Sequence, residues 1–313
     1  MQLKISVVIP CYNNEAHLER CIDSVLGQIS VEPEVIIVDD GSQDDSERVL
    51  NHFESSCTVV RQRNGGACRA RNAGLEMAQG EFVKFLDADD YLAPGALERQ
   101  VSQLRSFERN DVSVYGDVDW IDASGDVVSQ SKRLGCDDLR SGEGSLALPL
   151  TSAPLHYTDQ VRRAGGFDPR LPRAQEFDLH MRMWFAGTDF MYRPGLVYYY
   201  QQHDGPRVSS QDKNEATYQA RLEAYRRYLL AANEIADPCV KEKVRLELAR
   251  ALWSLGRLAL RSGVRKPVVD EIFAESRNIS GRGAMTGSGA YRLLSLAVGP
   301  RKSEALISLL KRI

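Results

Sequence analysis

The chain has 313 residues, of which 43% are hydrophobic and 27% are charged, and its formal net charge is −3. This composition is typical of a globular protein with one large domain, or one domain and an appendage. No apolar run reaches about 18 residues, which argues against a membrane-spanning protein. The apolar stretch near the start ends at Pro10, too early for a signal peptide, and the six cysteines form no Cys-x-x-Cys pair. We therefore expect a cytoplasmic protein with reduced thiols and no zinc site.

The first hundred residues alternate apolar runs with helical patterns. Residues 5–10 and 35–38 are continuous β-branched runs, typical of strands buried on both faces. Residues 57–60 predict a short third strand and residues 82–86 a fourth. Apolar residues at helical spacing follow each of these strands. This alternation predicts a parallel sheet covered by helices.

The pattern changes beyond residue 110. Residues 112–121, 127–129 and 190–200 predict strands of a mixed-sheet extension, and residues 176–186 predict an amphipathic helix. The remaining chain has a helical pattern. The predicted helices there are 218–235, 240–261, 267–276 and 291–313, the last interrupted at Gly299 and Pro300.

Basic residues are concentrated at the C-terminal end. Residues 241–313 contain 15 Lys and Arg against 6 Asp and Glu, whereas residues 1–240 contain 25 against 37. A basic helical segment suits an anionic surface, such as phospholipid headgroups or a diphosphate-linked lipid. This interpretation predicts peripheral contact with the inner face of a membrane. A solvated basic helix face is the alternative, and we expect no nucleic-acid partner.

Three carboxylates follow the predicted strand at residues 82–86. Asp87, Asp89 and Asp90 place like charges within four residues, which costs stability unless a cation or hydrogen-bond donors compensate. A hard divalent metal that carries phosphate oxygens is a natural compensation. The alternative interpretation is a solvated acidic turn.

Other polar and aromatic residues also follow predicted strands. Tyr12 comes after the first strand, and Asp39 and Asp40 come after the second. In parallel sheets of this kind, ligands bind beyond the carboxyl ends of the strands. We therefore expect these residues and the acidic cluster to form one site.

Five motifs in order give the sequence a specific resemblance. They are residues 6–13 (SVVIPCYN), 38–42 (VDDGS), 69–74 (RARNAG), 86–90 (LDADD) and 165–168 (GGFD). Together they resemble the family 2 glycosyltransferases of the GT-A fold, and several motifs in the right order are more specific than any one alone.

This resemblance implies a fold and a division of the chain. The fold is α/β, a nucleotide-diphosphate-binding GT-A sheet that is mostly parallel and Rossmann-like, with a mixed extension. The expected glycosyltransferase domain covers residues 1–210, with a nucleotide-sugar half at 1–118 and an acceptor half at 119–210. Residues 211–313 form a helical C-terminal region outside the resemblance.

The resemblance also implies residues for a nucleotide-sugar donor. Pro10 and Tyr12 line the base pocket, with Tyr12 stacked on the ring. Asp39 or Asp40 accepts a hydrogen bond from the imide N–H of the base, although these residues are also consistent with an ordinary turn and helix cap. Arg71 lies near the base and the phosphates.

A divalent cation, Mn²⁺ or Mg²⁺, is implied by the Asp-x-Asp motif. Asp89 ligates the metal and Asp87 contacts the ribose or the sugar, while we expect Asp90 to cap the next turn. The metal neutralises the leaving diphosphate. His203 matches a histidine that completes the metal or diphosphate contact in related enzymes.

An inverting transfer requires a carboxylate that deprotonates the acceptor hydroxyl. The family's Glu-Asp pair is represented here by Gln175 and Glu176, which places Glu176 at the position of the base. Asp178 is the alternative, and on a helix it would point about 200° away from Glu176.

The resulting hypothesis is a metal-dependent inverting glycosyltransferase. It would use a nucleotide-diphosphate sugar, with a UDP-sugar favoured, and a glycan or lipid-linked acceptor in cell-surface polysaccharide synthesis. A non-catalytic nucleotide-sugar-binding or scaffold protein on the same fold is the alternative. A dinucleotide oxidoreductase is disfavoured, because no Gly-x-Gly-x-x-Gly follows the first strand.

Overall fold

A computed structural model describes residues 5–29, 31–131, 148–202 and 214–310. The chain divides into two compact units. Of the described residues, the first unit contains those up to 131 together with 148–169 and 175–202, and the second contains 170–174 and 214–310. The domain boundary expected between residues 210 and 211 lies outside the described residues.

Nine strands form two sheets in the described part of the first unit. In chain order they are β1 (Ile5–Cys11), β2 (Glu34–Asp39), β3 (Thr58–Arg61), β4 (Phe82–Phe85), β5 (Tyr91–Leu92), β6 (Val112–Ile121), β7 (Val127–Ser131), β8 (His156–Tyr157) and β9 (Asp189–Gln201). The main sheet has the order β3-β2-β1-β4-β8. Its first four strands are parallel and β8 is antiparallel to β4.

The helices of this unit are α1 (Glu15–Leu26), α2 (Ser46–Phe53), α3 (Ala67–Met77), α4 (Ala96–Arg105), α5 (Thr158–Arg163) and α6 (Gln175–Phe185). Helix α3 packs on β1 and β2. The contact is close at Gly74, where a Cβ atom would lie 2.3 Å from Cγ1 of Val8. A larger residue would push this helix, and the arginine it carries, away from the sheet.

The second sheet differs from the expected mixed extension. Strands β5-β9-β6-β7 form a sheet of their own, in which β6 and β9 are parallel and β6 and β7 antiparallel. The edge of the main sheet at β4 is instead covered by the short β8. The chain after the acidic loop enters β5 and pairs with β9, where Tyr91 faces Tyr199. The second sheet therefore starts directly beside the acids.

The second unit is helical, in agreement with the sequence pattern. Its elements are α7 (Glu215–Asn233), α8 (Pro238–Arg261), α9 (Lys266–Ser280), a 3-10 turn (Gly281–Ala284) and α10 (Gly289–Leu310). Helix α10 is interrupted at Gly299, with φ of 80°, and Pro300, as predicted. Within the described ranges, no helix combines the length and apolarity needed to cross a bilayer.

Candidate active site

The carboxyl ends of β1, β2 and β4 bring the expected site residues to one edge of the main sheet. Asp40 N–H donates to the carbonyl of Cys11 at 2.8 Å, which joins the ends of β2 and β1. Leu86 N–H donates to the carbonyl of Val8 at 3.0 Å, which joins the end of β4 to β1. Tyr12, Asp39, Asp40 and the acidic loop therefore share this edge because the strands are parallel.

The expected base pocket contains an exposed ring beside a half-buried proline. Tyr12 is 45% exposed, and Pro10 lies opposite Val38 in the sheet. Asp39 is buried, and its Oδ1 accepts a hydrogen bond from Ser42 N–H at 3.0 Å. Its Oδ2 has no hydrogen-bond partner among the described residues, so Asp39 keeps an acceptor for a ligand.

Asp40, unlike Asp39, has both of its carboxylate oxygens hydrogen-bonded within the protein. Both of its carboxylate oxygens accept backbone hydrogen bonds, from Gly65 N–H at 2.8 Å and from Gly66 N–H at 2.7 Å. Gln62 Nε2 donates to Oδ1 as well, at 2.6 Å. Gly66 has φ of 87°, a conformation that glycine adopts without strain. Asp40 thus fixes the turn that leads into α3, and Asp39 is the better candidate to accept from a base.

The three acids of the loop after β4 lie in different environments. Asp87 Oδ1 accepts from Nη2 of Arg71 at 2.6 Å, and Asp89 is half-buried. Asp90 is only 3% exposed and accepts from Ser152 Oγ at 3.0 Å. Burial, followed by the charges of Asp89 and Asp87, holds the pKa of Asp90 well above its usual range. The expectation that Asp90 caps the next turn is therefore wrong, because its side chain points into the protein.

A buried polar network behind the loop was not predicted from the sequence. Ser152 Oγ accepts from Asp87 N–H at 3.2 Å and donates to Asp90, so it holds both ends of the loop. The next residues are held by Lys84, whose Nζ donates to the carbonyl of Ala153 at 3.3 Å and to Gln100 Oε1 at 3.0 Å. Burial lowers the pKa of Lys84 to about 7. A lysine in an otherwise apolar strand was the available signal.

Arg71 is a buried cation that joins the loop to helix α6. Its Nη2 bonds Asp87, and its Nη1 donates to Gln175 Oε1 at 2.9 Å. Burial alone lowers the pKa of Arg71, but the charges of Asp87 and Glu176 raise that pKa above its ordinary value overall. Arg71 is thus a permanent positive charge among these acids rather than a solvated one.

The Gly-Gly-Phe-Asp motif is anchored to α3 beside Arg71. Asn72 Nδ2 donates to the carbonyl of Phe167 at 2.8 Å, and Phe167 N–H donates back to Asn72 Oδ1 at 2.8 Å. Gly166 has φ of 64°, and a Cβ atom there would lie 2.5 Å from Asn72 Oδ1. The guanidinium carbon of Arg71 lies 5.1 Å from the centre of the Phe167 ring. The motif therefore forms one wall around the arginine.

The two candidate bases are distinguished by their contacts. Glu176 is half-buried in the first turn of α6, and its charge adds to the raised pKa of Arg71 and of Tyr198. Asp178 is 1% exposed, and its Oδ2 accepts from Nε and Nη2 of Arg182 at 2.8 and 2.6 Å. Arg182 also donates to the carbonyl of Gly166 at 2.7 Å. Asp178 therefore holds Arg182 in place, whereas Glu176 lies beside Arg71.

Few side chains among the described residues could ligate a metal ion. Among them, no group of three His, Cys, Asp or Glu side chains is arranged to hold a metal ion. His203, the other expected ligand, lies outside the described residues. Asp89 fits a hard divalent ion that takes its remaining ligands from phosphate and water, as Mg²⁺ sites commonly do.

The family follows from comparison with known sequences. Residues 6–152 match the model of glycosyl transferase family 2. An uncharacterized glycosyltransferase of Nostoc sp. is 31% identical over 252 residues, which cover 72% of this chain and 74% of the relative. The chain belongs to glycosyltransferase family 2. An uncharacterized glycosyltransferase of Rickettsia conorii is also 31% identical over 58% of this chain, but the match spans only 30% of that longer protein.

Solved structures share the fold of this glycosyltransferase family member. S. aureus TarS 1-349 in complex with UDP-GlcNAc has a TM-score of 0.64 and 18% identity, with 90% of both chains covered. The mannosyltransferase PcManGT from Pyrobaculum calidifontis, in complex with GDP-Man and Mn²⁺, has a TM-score of 0.57 and 17% identity, with 100% of this chain and 89% of that chain covered. The expected GT-A fold is confirmed, as is the expected membership of a family of glycosyltransferase enzymes.

Proposed function

We propose that the protein transfers a sugar from a nucleotide-diphosphate sugar to a hydroxyl group of a glycan or lipid-linked acceptor, with inversion at the anomeric carbon. The observation that carries the proposal is that Asp39, Asp87 and Asp89 follow parallel strands at one edge of the sheet, where the buried cation Arg71 bonds Asp87 and lies beside Glu176. This is the edge at which open α/β sheets bind their ligands.

The donor is held, in this proposal, by residues on both sides of β1. Tyr12 offers an exposed ring for stacking on the base beside Pro10, and Asp39 offers Oδ2 to an imide N–H. We favour a UDP-sugar, because TarS, with the higher TM-score of the two structures, binds UDP-GlcNAc, whereas PcManGT binds GDP-Man. In this proposal Asp87 contacts the ribose or the sugar, and its hydrogen bond with Arg71, which holds one of its oxygens, supports the role.

A divalent cation, Mn²⁺ or Mg²⁺, belongs to the proposal through Asp89. The PcManGT structure is a complex with GDP-Man and Mn²⁺, and the fit of Asp89 to a site completed by phosphate oxygens supports a similar ion here. When bound, the ion would neutralise the charge that develops on the leaving diphosphate. We propose His203 as a further contact to the metal or the diphosphate.

Glu176 is the proposed general base. It takes the proton of the acceptor hydroxyl, whose oxygen forms a bond to the anomeric carbon as the bond from that carbon to the diphosphate breaks. The diphosphate leaves with the bonding electron pair. The first turn of α6 suits this task, because the positive end of a helix dipole favours a carboxylate.

A non-catalytic nucleotide-sugar-binding protein is the alternative that a turnover experiment excludes. A panel of UDP-, GDP- and dTDP-sugars is screened by thermal shift with Mn²⁺, and release of nucleoside diphosphate is then measured. We expect protection by one nucleotide class, lost in EDTA, together with turnover that Asp89→Ala strongly lowers. Protection without turnover would support the binding protein, and equal response to all nucleotides or to none would remove the proposal.

A role in cell-surface polysaccharide synthesis at the inner face of a membrane is part of the proposal. The basic excess of residues 241–313 suits anionic headgroups, and Leu293, Leu296 and Val298 are exposed apolar residues on α10. Sedimentation with liposomes of anionic and of neutral lipid tests this. We expect binding to the anionic liposomes only, and no binding to either would contradict membrane contact.

A further inference from the structure

Two aromatic side chains lie together on the second sheet, close to the acidic loop. The rings of Trp120 and Tyr200 have centroids 4.2 Å apart and an interplanar angle of 37°. The two residues are partners in the parallel pairing of β6 with β9, so their side chains share a face. Both are half-buried. Together they form a tilted aromatic pair that is partly exposed to solvent.

The same face of the sheet leads to the proposed catalytic acids. Tyr198 is two residues before Tyr200 and therefore on the same face, and it is fully buried. Its pKa is raised by burial first and then by the charges of Asp90, Asp87 and Glu176, so these acids lie near it. Tyr199 lies on the opposite face, stacked on Tyr91 with centroids 4.7 Å apart.

Backbone contacts fix this surface to the acidic loop. Gln201 N–H, directly after Tyr200, donates to Asp90 Oδ1 at 3.4 Å. Ala93 N–H donates to the carbonyl of Val197 at 2.9 Å, so the chain leaving the loop runs beside β9. The distance between the aromatic pair and the acids is therefore set by strand pairing rather than by flexible side chains.

We propose that Trp120 and Tyr200 form the platform on which a pyranose ring of the acceptor glycan packs. The inference rests on the proposed function and names a subsite for it. The apolar face of a pyranose, made of its C–H bonds, buries well on aromatic rings, while its hydroxyl groups keep polar partners. Ser129, opposite Trp120 on β7 and exposed, offers such a partner at the rim.

The position of the platform assigns it to the acceptor rather than to the nucleotide. In the main sheet β1 lies between β2 and β4, so Asp39 and Tyr12 are on the β2 side of the acidic loop. The aromatic pair lies on the second sheet, which begins with β5 directly after that loop in the chain. The platform therefore lies on a different sheet from the proposed nucleotide residues, and the acidic loop joins the two sheets.

Tryptophan fluorescence tests the platform without relying on activity. Of the three tryptophans in the chain, Trp184 and Trp253 are 3% and 0% exposed, and Trp120 is the half-buried one. The full-length protein is titrated with methyl glycosides of glucose, galactose, mannose, rhamnose and N-acetylglucosamine. We expect at least one to change the emission, with the change kept in Trp184→Phe and lost in Trp120→Phe. Emission unchanged by every glycoside would overturn the proposal.

Kinetics separate this inference from the proposed function. With the responding glycoside as acceptor, Trp120→Ala should raise the acceptor KM roughly tenfold and leave donor hydrolysis unchanged, because only the acceptor contact is lost. Trp120→Phe, which keeps an apolar ring, should restore most of the affinity and checks that the fold is intact. An unchanged acceptor KM in an active Trp120→Ala enzyme would overturn the platform alone. A wild type that turns over no nucleotide sugar would instead overturn the proposed function.

Discussion

The two edges of the main sheet differ in how their charged side chains are arranged. At the amino edge, beside the start of β4, a cavity of about 1050 Å³ is lined by Arg105, Arg109, Arg162 and Arg163 together with Glu81, Glu108 and Asp159. Arg109 pairs with Asp111 at 3.1 Å and with Asp189 at 2.6 Å. At the carboxyl edge, acids are crowded around the buried cation Arg71. At the amino edge Arg109 is paired with two acids, whereas at the carboxyl edge three acids follow one another within four residues and only one of them, Asp87, is paired with Arg71 among the contacts described.

This difference supports the proposal that the carboxyl edge is the functional one. Exposed ion pairs such as those of Arg109 contribute little to stability, and they need no ligand to be satisfied. Burial, and then the charges of Asp89 and Asp87, raise the pKa of Asp90, so the ionised cluster is unfavourable by itself. A cluster that is unfavourable without a cation is the one expected to bind a cation, so we propose that the site lies at the carboxyl edge.

The largest expected effect is the loss of kcat when a carboxylate is removed from the carboxyl edge, compared with removal of one from the amino edge. Asp89→Ala should lower kcat by roughly 10³-fold, because the proposed metal contact to the leaving diphosphate is lost. Asp111→Ala, the control at the amino edge, removes an exposed partner of Arg109 and should leave kcat unchanged. Nucleoside diphosphate release measures both. Equal losses of kcat in the two variants would show that the two edges do not differ in function.

The next effect separates two acids on the same helix. Glu176→Gln should lower kcat by about 10²-fold or more without changing the free energy of unfolding, because a base is lost. Asp178→Asn should instead lower the free energy of unfolding by about 3 kcal/mol, because the buried charge that accepts from both Nε and Nη2 of Arg182 through Oδ2 is lost. Urea unfolding and kcat are measured for both. The opposite pattern would assign the base to Asp178.

A smaller effect concerns the buried lysine behind the carboxyl edge. The pKa of Lys84 is about 7 in the folded protein, below its ordinary value of 10.5, so the unfolded chain binds more protons between these values. The free energy of unfolding should therefore rise with pH between about 7 and 10.5 and level off below about 7, where Lys84 is protonated in both the folded and the unfolded state. Lys84→Met should remove that rise, and the exposed Lys266→Met should retain it. The free energy of unfolding is measured with urea at each pH. A constant difference between wild type and Lys84→Met at every pH would show that Lys84 does not titrate in this way.

The smallest effect is expected at the amino edge. Arg109→Ala breaks exposed ion pairs with Asp111 and Asp189 and should lower the free energy of unfolding by no more than about 1 kcal/mol. Its kcat should match wild type. A loss of several kcal/mol, or of activity, would show that this edge is not merely a balanced surface.

The sequence predicted the parts of the fold that depend on local pattern. β-Branched runs located β1 and β2, and residues placed directly after the strands were correctly expected at one edge. The separate second sheet was missed, because it depends on β5, a strand of two residues whose partner Tyr199 is over a hundred positions away. Short strands carry too few residues to show a pattern.

The same distinction applies to the site. Motif residues such as Asp87 and Arg71 were found by the resemblance, but Ser152 was not, and the contact of Gln175 with Arg71 was not predicted, because both roles depend on partners that lie far away in the chain. The role of Asp178 had a local signal, since Arg182 lies four residues later on the same helix.

Electron paramagnetic resonance of Mn²⁺ tests the central claim most directly. Free Mn²⁺ is counted in solutions of the wild type, Asp89→Ala and Asp111→Ala, each with and without UDP. If the carboxyl edge holds a cation through Asp89 and the diphosphate, wild type and Asp111→Ala should bind about one Mn²⁺ only when UDP is present, and Asp89→Ala should bind none. Equal Mn²⁺ binding by Asp89→Ala and wild type would contradict the account.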